Sequence, residues 1–265
     1  MWKLFDDLYI GIPSGIVITG CVIGKEWTTV RANGNIGIAR TMEVPENSQE
    51  LASQFIGQHL RDTACHMHWD SLAKASVGVA AMNAWYNTAE RAEGLEGIQT
   101  SALIESVPSA LEGKIATIGL TNGFEDADAF DLPMSPDFDI TKYEPLKEYD
   151  NVVISGKAII TRALPSLLDI IGEDGNVILY GHSVPCSALY FAFDMPIREV
   201  RGFYQIFDDT VEACAVNDIK DPSPGLLPFC INPIQVKKIH ESDAVAEAFD
   251  SNYNATKFNN NFNEY

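Results

Sequence analysis

The stretch "NVVISGKAIITRALPSLLDIIG", residues 151–172, decides the fold. The apolar run at 152–154 indicates a strand buried on both faces, and a turn at Gly156 leads into a helix that accommodates Pro165 in its first turn. The same order of strand, glycine turn and helix recurs in "KIATIGLTNG" (114–123), in "NVILYGHSVPCSALYFAF" (176–193) and, less regularly, in 197–217. Strands that alternate with helices predict a mostly parallel α/β sheet with helices on both faces.

The N-terminal half has a different pattern. Short strands are predicted at 15–24, 27–33 and 36–42, with a tight turn at Asn33–Gly34. Helices are predicted over 49–61 and 71–87. In the second helix, apolar residues recur at three- and four-residue steps and define a buried stripe: Leu72, Ala75, Val79, Met82 and Tyr86. Strands followed by helices predict an α+β arrangement.

Composition limits the classes of partner. The chain has 265 residues, 46% of them hydrophobic, and a formal net charge of −19, which repels nucleic acid and anionic lipid. No apolar run approaches the roughly 20 residues of a membrane span, and the acidic start is unlike a signal peptide. The five cysteines form no CxxC pair. We therefore expect a cytoplasmic protein with free thiols; assembly into a homo-oligomer is compatible with these features.

Three glycine turns follow the predicted parallel strands, at Gly119, Gly156 and Gly181. In open α/β sheets, ligands bind at the carboxyl ends of the strands, and each turn also precedes a predicted helix N-terminus that attracts anions. The neighbouring candidates for ligand binding are Thr121, Asn122 and Lys157. The alternative is that each glycine only ends a strand, with Ser183 or Ser187 capping a helix.

Common cofactor motifs are absent. The chain has no GxGxxG, no GxxxxGK[ST] and no GxSxG sequence, which disfavours standard NAD binding, P-loop ATPase chemistry and the α/β-hydrolase elbow.

The segment 59–69 contains His59, Cys65, His66 and His68. This segment is either a metal-binding loop or, as the irregular ligand spacing favours, a polar connection. Asn83 and Asn87 share one helix face, from which they either point into a cleft or bond their own helix end.

Taken together, the motifs resemble those of a protein family named "Putative heavy-metal chelation". The resemblance covers about residues 1–240 and rests on segments 1–13, 22–32, 76–88, 113–119, 152–168 and 178–191. It implies an enolase N-terminal-like α+β domain at 1–108 and a Rossmann-like α/β domain at 109–240, with a site between them. An acidic, asparagine-rich tail follows at 241–265.

The resemblance also implies a set of ligand-binding residues. They are Trp27, Thr28, Arg31, Asn83, Asn87, Gly181, Ser183, Pro185 and Ser187. The chain departs from the family's pattern at three positions, where it has His182, Cys186 and Lys157. These departures add a candidate pair of metal ligands and a cation beside the glycine turns at the strand ends.

The resulting hypothesis is a protein that binds a small anionic or metal-containing ligand in the cleft, with Trp27 as an apolar wall and Arg31 pairing with a carboxylate. His182 and Cys186 would suit a soft divalent transition metal, with a thiolate favoured at a helix N-terminus. Alternatively, Cys186 is a packing residue and His182 only lines a pocket. Two further alternatives are an enzyme that uses His182 as acid–base and Cys186 as nucleophile, and a regulatory module without chemistry.

Overall fold

The computed structural model describes residues 2–68, 71–94, 98–100, 111–120, 124, 126–192 and 195–232. The predicted site residues Thr121 and Asn122 and the tail 241–265 lie outside the described residues. The same holds for residues 101–110, so the domain boundary at 108/109 stays a prediction. None of the helices in the described ranges has the length and apolar character to cross a membrane.

The N-terminal part begins with helix α1 (Trp2–Ile10) and a small antiparallel sheet. Its strands are β1 (Ile18–Ile23), β2 (Trp27–Ala32) and β3 (Asn35–Arg40), in the order β1-β2-β3. The register joins Ala32 to Asn35 across the tight turn at Asn33–Gly34, as predicted. The helices that follow are α2 (Ser48–Ser53), α3 (Leu60–Ala64), α4 (Leu72–Tyr86) and α5 (Ala89–Gly94).

Helix α4 is buried on almost every side rather than along one stripe. Alanine, glycine and serine supply much of its surface, so neighbouring elements can approach its backbone closely. A helix that is apolar on all sides is stable only when it is buried, and α4 lies at the centre of the N-terminal part, where it packs on β2 and β3.

The second part contains a seven-stranded sheet in the described residues. Its strands are β4 (Gln99–Thr100), β5 (Ile115–Ile118), β6 (Asp128–Phe130), β7 (Asn151–Ser155), β8 (Val177–Tyr180), β9 (Ile197–Gln205) and β10 (Leu226–Ile231). Their order is β4-β10-β9-β8-β7-β5-β6, and all pairs from β9 to β6 are parallel. The strand pairs β9–β10 and β10–β4 are antiparallel.

The predicted fold class is confirmed. Strands β7 and β8 are parallel neighbours, with Val152 opposite Val177 and Ser155 opposite Tyr180. Helices α6 (Lys157–Ile160) and α7 (Leu164–Ile171) connect them, and Pro165 lies in the first turn of α7. Helix α8 (Asp208–Val216) connects β9 to β10.

Three predicted local structures were wrong. The helix expected over 49–61 ends at Ser53, because backbone groups at 57–60 pair with the chain near β1 instead of continuing the helix. The loop expected at 59–69 is helical over 60–68, where α3 is followed by a 3₁₀ helix at 65–68. The α-helix expected after Gly181 is only a 3₁₀ turn at 188–191, since the backbone carbonyl of Val184 and the N–H of Cys186 bond the side chain of Asn87 instead of continuing a helix.

The two parts share a continuous hydrophobic core. A second apolar cluster joins the small sheet to α8 and β10; its buried members are Trp27, Ile36, Ile38, Val211, Cys214, Ala215 and Leu226. Because α8 covers the small sheet, residues at the ends of β2 and β3 lie beside the carboxyl ends of the parallel strands. This arrangement positions the site described next.

Candidate functional site

The turn at 181–187 is the centre of the site. Gly181 ends β8 with φ = 125°, a backbone conformation that residues with a side chain rarely adopt. Its N–H donates to the carbonyl of Arg201, and its carbonyl accepts the N–H of Val184. The turn packs against Gly156, where an added Cβ would lie 2.6 Å from Cγ2 of Val184. Glycines at the ends of β7 and β8 therefore allow the two turns to touch.

Two asparagines of α4 hold this turn. Asn87 donates from Nδ2 to the carbonyls of Val184 and Phe203, both at 2.9 Å, and its Oδ1 accepts the N–H of Cys186 at 2.7 Å. Asn83 donates from Nδ2 to the carbonyls of Ile38 at 2.7 Å and His182 at 3.1 Å. The side-chain amides therefore bond β3, β9 and the turn at 181–187, and not the end of their own helix.

The two serines of the turn also bond backbone groups. Ser183 Oγ accepts the N–H of Arg40 at 2.9 Å, which ties the turn to β3. Ser187 Oγ accepts the N–H of Leu189 and caps the 3₁₀ turn. This agrees with the alternative in which Ser187 only caps a helix. Pro185 is buried within the turn.

His182 lies between two aromatic rings. Its imidazole is parallel to Phe203, with centroids 4.2 Å apart and 7° between the planes, and meets Trp27 edge-on at 4.9 Å. Burial lowers the pKa of His182 to about 4; Asp221 opposes this shift and Arg40 adds to it. The imidazole is therefore neutral near pH 7. Its Nε2 is buried and, within the described part of the chain, has no hydrogen-bond partner.

Trp27 is fixed by hydrogen bonds on its far side. Its Nε1 donates to the carbonyls of Ile219 at 3.0 Å and Lys220 at 3.2 Å. The side chain of Trp27 is buried, and its ring contacts His182; its role as an apolar wall for a ligand stays a prediction. Thr28 is also buried, but its hydroxyl bonds Thr41 at 2.8 Å.

One cation, Arg40, lies beside this aromatic group, and a second, Lys157, lies near Arg40. The Arg40 guanidinium is 5.2 Å from the Trp27 ring centroid and pairs with Glu26 at 2.5 Å. Lys157 is half-buried; burial lowers its pKa, and the Arg40 charge lowers it further. Our sequence reasoning missed Arg40, although alternation along β3 places it on the same face as Ile36 and Ile38, which pack with Trp27.

Arg31 has other partners than the ligand carboxylate expected for it. Its guanidinium contacts three carboxylates at the start of α8, those of Asp208, Asp209 and Glu212, at 3.4, 3.6 and 3.0 Å. The hydrogen bond to Glu212 is the main cause of the raised pKa of Arg31. This residue therefore joins β2 to α8, where three carboxylates outnumber its single positive charge.

Cys186 has different neighbours from His182. Its thiol is buried and interacts electrostatically with Arg91, whereas His182 interacts with Asp221 and Arg40. Burial raises the pKa of the Cys186 thiol far above its usual range. Burial therefore favours the thiol over the expected thiolate, because no regular helix N-terminus follows in the described residues to offset burial. The metal pair of His182 and Cys186 stays a prediction.

The remaining candidates are placed as follows. Gly119 ends β5, and its N–H donates to the carbonyl of Phe130 in β6. In the segment 59–69, His66 packs edge-on against Phe55 and burial lowers its pKa. Among the described residues, no three His, Cys, Asp or Glu side chains converge in a group that could hold a metal ion.

Solved structures with the same fold are known. A protein of unknown function from the DUF364 family of Desulfitobacterium hafniense DCB-2 matches with a TM-score of 0.73 and 22% identity, over 87% of this chain and 97% of that chain. A DUF364 protein of unknown function from Pyrococcus horikoshii matches with a TM-score of 0.67 and 16% identity, over 87% and 98%. No curated protein matches the sequence.

Two family models with one description cover both parts of the chain. The model DUF4213 matches residues 6–86, which span the small sheet and α4, and the model DUF364 matches residues 126–214, which span most of the parallel sheet. Both carry the description "Putative heavy-metal chelation". Since these matches agree with the fold of both parts, the chain belongs to the family so described.

Proposed function

We propose that the protein binds a small anionic ligand, including a metal ion carried as an anionic complex, in the crevice beside the turn at 181–187. The observation that carries this proposal is the pair of cations, Arg40 and Lys157, at the carboxyl ends of the parallel strands. In the described residues Glu26 pairs with Arg40, but no carboxylate contacts Nζ of Lys157. A half-buried ammonium group without a carboxylate partner favours an anion from outside the protein.

The position of the cations in the sheet supports the same conclusion. Strand β5 pairs with β6 on one side and with β7 on the other, so the order of the strands reverses between β5 and β7. Ligands of open α/β sheets bind at such a reversal, outside the carboxyl ends. Lys157 directly follows the turn that ends β7. In a chain with a net charge of −19, a local group of cations is a specific feature rather than a consequence of composition.

His182 suits a ligand that contains a metal. A neutral imidazole with an unbonded ring nitrogen is a common ligand of transition metals. One imidazole does not hold a metal by itself, and the protonated Cys186 thiol has different surroundings. We therefore propose that the other metal ligands arrive with the anion, and that His182 adds one nitrogen.

The buried environment of Cys186 argues against the alternative that the protein is an enzyme with this residue as its nucleophile. A nucleophilic cysteine acts as the thiolate, whereas burial of Cys186 favours the thiol. The proposal therefore assigns the crevice to binding and does not include Cys186 as a nucleophile.

The test compares citrate and nickel citrate as calorimetric probes of protein purified without a histidine tag. We expect both to bind the wild type, and Lys157→Met to weaken both by about tenfold to a hundredfold, the usual effect of losing one charged hydrogen bond. His182→Phe keeps the ring and should weaken only nickel citrate.

The control is Lys220→Met, which removes an exposed lysine. It should leave both affinities unchanged. The proposal fails if the wild type binds neither probe, or if Lys157→Met and Lys220→Met have the same effect. Native mass spectrometry of the untagged protein, combined with elemental analysis, would identify any ligand or metal that co-purifies.

A further inference from the structure

Lys157 has an unusual environment for a lysine. It is the first residue of α6, its side chain is half-buried, and its backbone N–H is held by Ser155 Oγ at 3.3 Å. Within the described ranges, no acceptor contacts its Nζ. Lysines are rarely buried without a partner, because the ammonium group loses hydration that only an opposite charge or hydrogen bonds restore.

A second cation lies near this amine, because Ser183, which binds the backbone N–H of Arg40, packs against Gly156, the residue before Lys157. Arg40 is fixed by its backbone hydrogen bond to Ser183, by its ion pair with Glu26 and by its contact with the Trp27 ring. The charge of Glu26 is used by Arg40 and does not compensate Lys157. Burial and the Arg40 charge both disfavour the ammonium form of Lys157. These are the two conditions that make a lysine amine nucleophilic: a site of low polarity and a neighbouring positive charge.

We propose that the ε-amine of Lys157 forms an imine with a carbonyl compound that carries a carboxylate or phosphate group. The inference rests on the proposed anion site, since Arg40 would bind the anionic group while the amine attacks the carbonyl. Such a substrate belongs to the 2-oxo acids or to aldehydes with a nearby acidic group.

The step balances without a further reactant. The ammonium group first loses a proton to solvent, and the nitrogen lone pair then forms a bond to the carbonyl carbon while the C=O π electrons move to oxygen. The resulting carbinolamine loses its oxygen as water, which carries away both hydrogens of the neutral amine. The product is a C=N bond between Lys157 and the substrate carbon.

Glyoxylate with sodium cyanoborohydride is the probe. Glyoxylate combines an aldehyde with a carboxylate, and the hydride reduces an imine to a stable carboxymethyl-lysine that peptide mass spectrometry locates. At low reagent concentration we expect Lys157 to be labelled at least tenfold faster than Lys25 and Lys220, which are exposed and serve as controls within the same chain. Acetaldehyde lacks the carboxylate and should show a smaller preference for Lys157.

Two variants separate this inference from the proposed function. Lys157→Arg keeps the charge but has no primary amine, so it should retain citrate binding and lose the selective label; Lys157→Met should lose both. Labelling of Lys157 no faster than Lys25 and Lys220, with citrate binding intact, overturns the imine and leaves the anion site. Selective labelling in a protein whose citrate affinity does not depend on Lys157 supports the imine and overturns the proposed anion site. Absence of both effects overturns both.

Discussion

The side-chain oxygen of Asn87 lies 2.7 Å from the backbone nitrogen of Cys186 and accepts its hydrogen bond. The same amide donates to the carbonyls of Val184 and Phe203. A single residue at the end of α4 therefore holds both the turn at 181–187 and strand β9. Since α4 belongs to the N-terminal part, Asn87 also joins the two parts of the molecule.

Asn87→Ala should destabilise the protein by about 3 kcal/mol. The change leaves one buried N–H and two carbonyls without their partner, and each unpaired buried group costs about 1–3 kcal/mol before the structure relaxes. Urea unfolding followed by circular dichroism measures the difference. Asn217→Ala is the control, because the side chain of this exposed asparagine makes one hydrogen bond, to the carbonyl of Ala213; the change should cost less than about 1 kcal/mol. Equal effects of the two variants would contradict the central role of Asn87.

Gly37→Ala should also destabilise the fold, by about 3 kcal/mol or more. Gly37 lies in β3, where an added Cβ would overlap the backbone of α4 at Ala80 and Ala84. Relief requires the helix and sheet to separate, which loses packing in the centre of the N-terminal part. Thermal unfolding of Gly15→Ala provides the comparison, since a Cβ at Gly15 meets nothing within 4 Å. A Gly37→Ala protein as stable as Gly15→Ala would show that α4 packs less closely on β3 than described.

The strand–turn–helix units were predictable because local patterns define them. Apolar runs such as 152–154 and 177–179, each followed by glycine, have few other interpretations. The antiparallel strand β10 was missed, because Pro228 interrupts its pattern and its pairing with β9 depends on residues far away in the chain. Local periodicity contains no information on such a partner.

The site was predictable only in part. Turn residues were predicted because ligands of open α/β sheets bind at strand ends, and the likeness to a known family added Trp27 and the two asparagines; their binding of a ligand stays a prediction. Arg31 was assigned to the ligand because the sequence does not reveal that α8 brings three carboxylates to it. Arg40 was missed because its position beside the turn at 181–187 depends on the contact between β3 and that turn. Long-range contacts of this kind appear only when the fold is known.

Arg31→Met should destabilise the protein modestly, by about 1 kcal/mol at low salt. The variant leaves Asp208, Asp209 and Glu212 to repel one another at the start of α8. Burial raises the pKa of Asp208 although Arg31 opposes this, so desolvation offsets part of the ion-pair energy. Screening should reduce the effect in 1 M sodium chloride. Arg198→Met, which removes hydrogen bonds to two carbonyls but no ion pair, should show a weaker salt dependence. Equal salt dependence in both variants would contradict the electrostatic role of Arg31.

His182 should make the stability of the fold sensitive to acid. Its pKa is about 4 in the folded protein and about 6.5 in an unfolded chain, so the unfolded state binds more protons between these values. The neutral imidazole therefore makes its full contribution to the free energy of unfolding above about pH 6.5, and this contribution is lost as the pH falls towards 4. The loss is of the order of 3 kcal/mol, at 1.36 kcal/mol for each pH unit.

His182→Phe isolates this contribution from the many carboxylates that also titrate. Phenylalanine keeps a planar ring between Trp27 and Phe203 but binds no proton. Urea unfolding of both proteins from pH 7.5 to pH 4 should show the wild type losing stability relative to the variant, by an amount that grows below pH 6.5. A difference that stays constant over this range would mean that His182 is solvated in the folded protein. It would then titrate near its usual pKa, and its Nε2 would be bonded to water rather than unbonded as the metal-complex proposal requires.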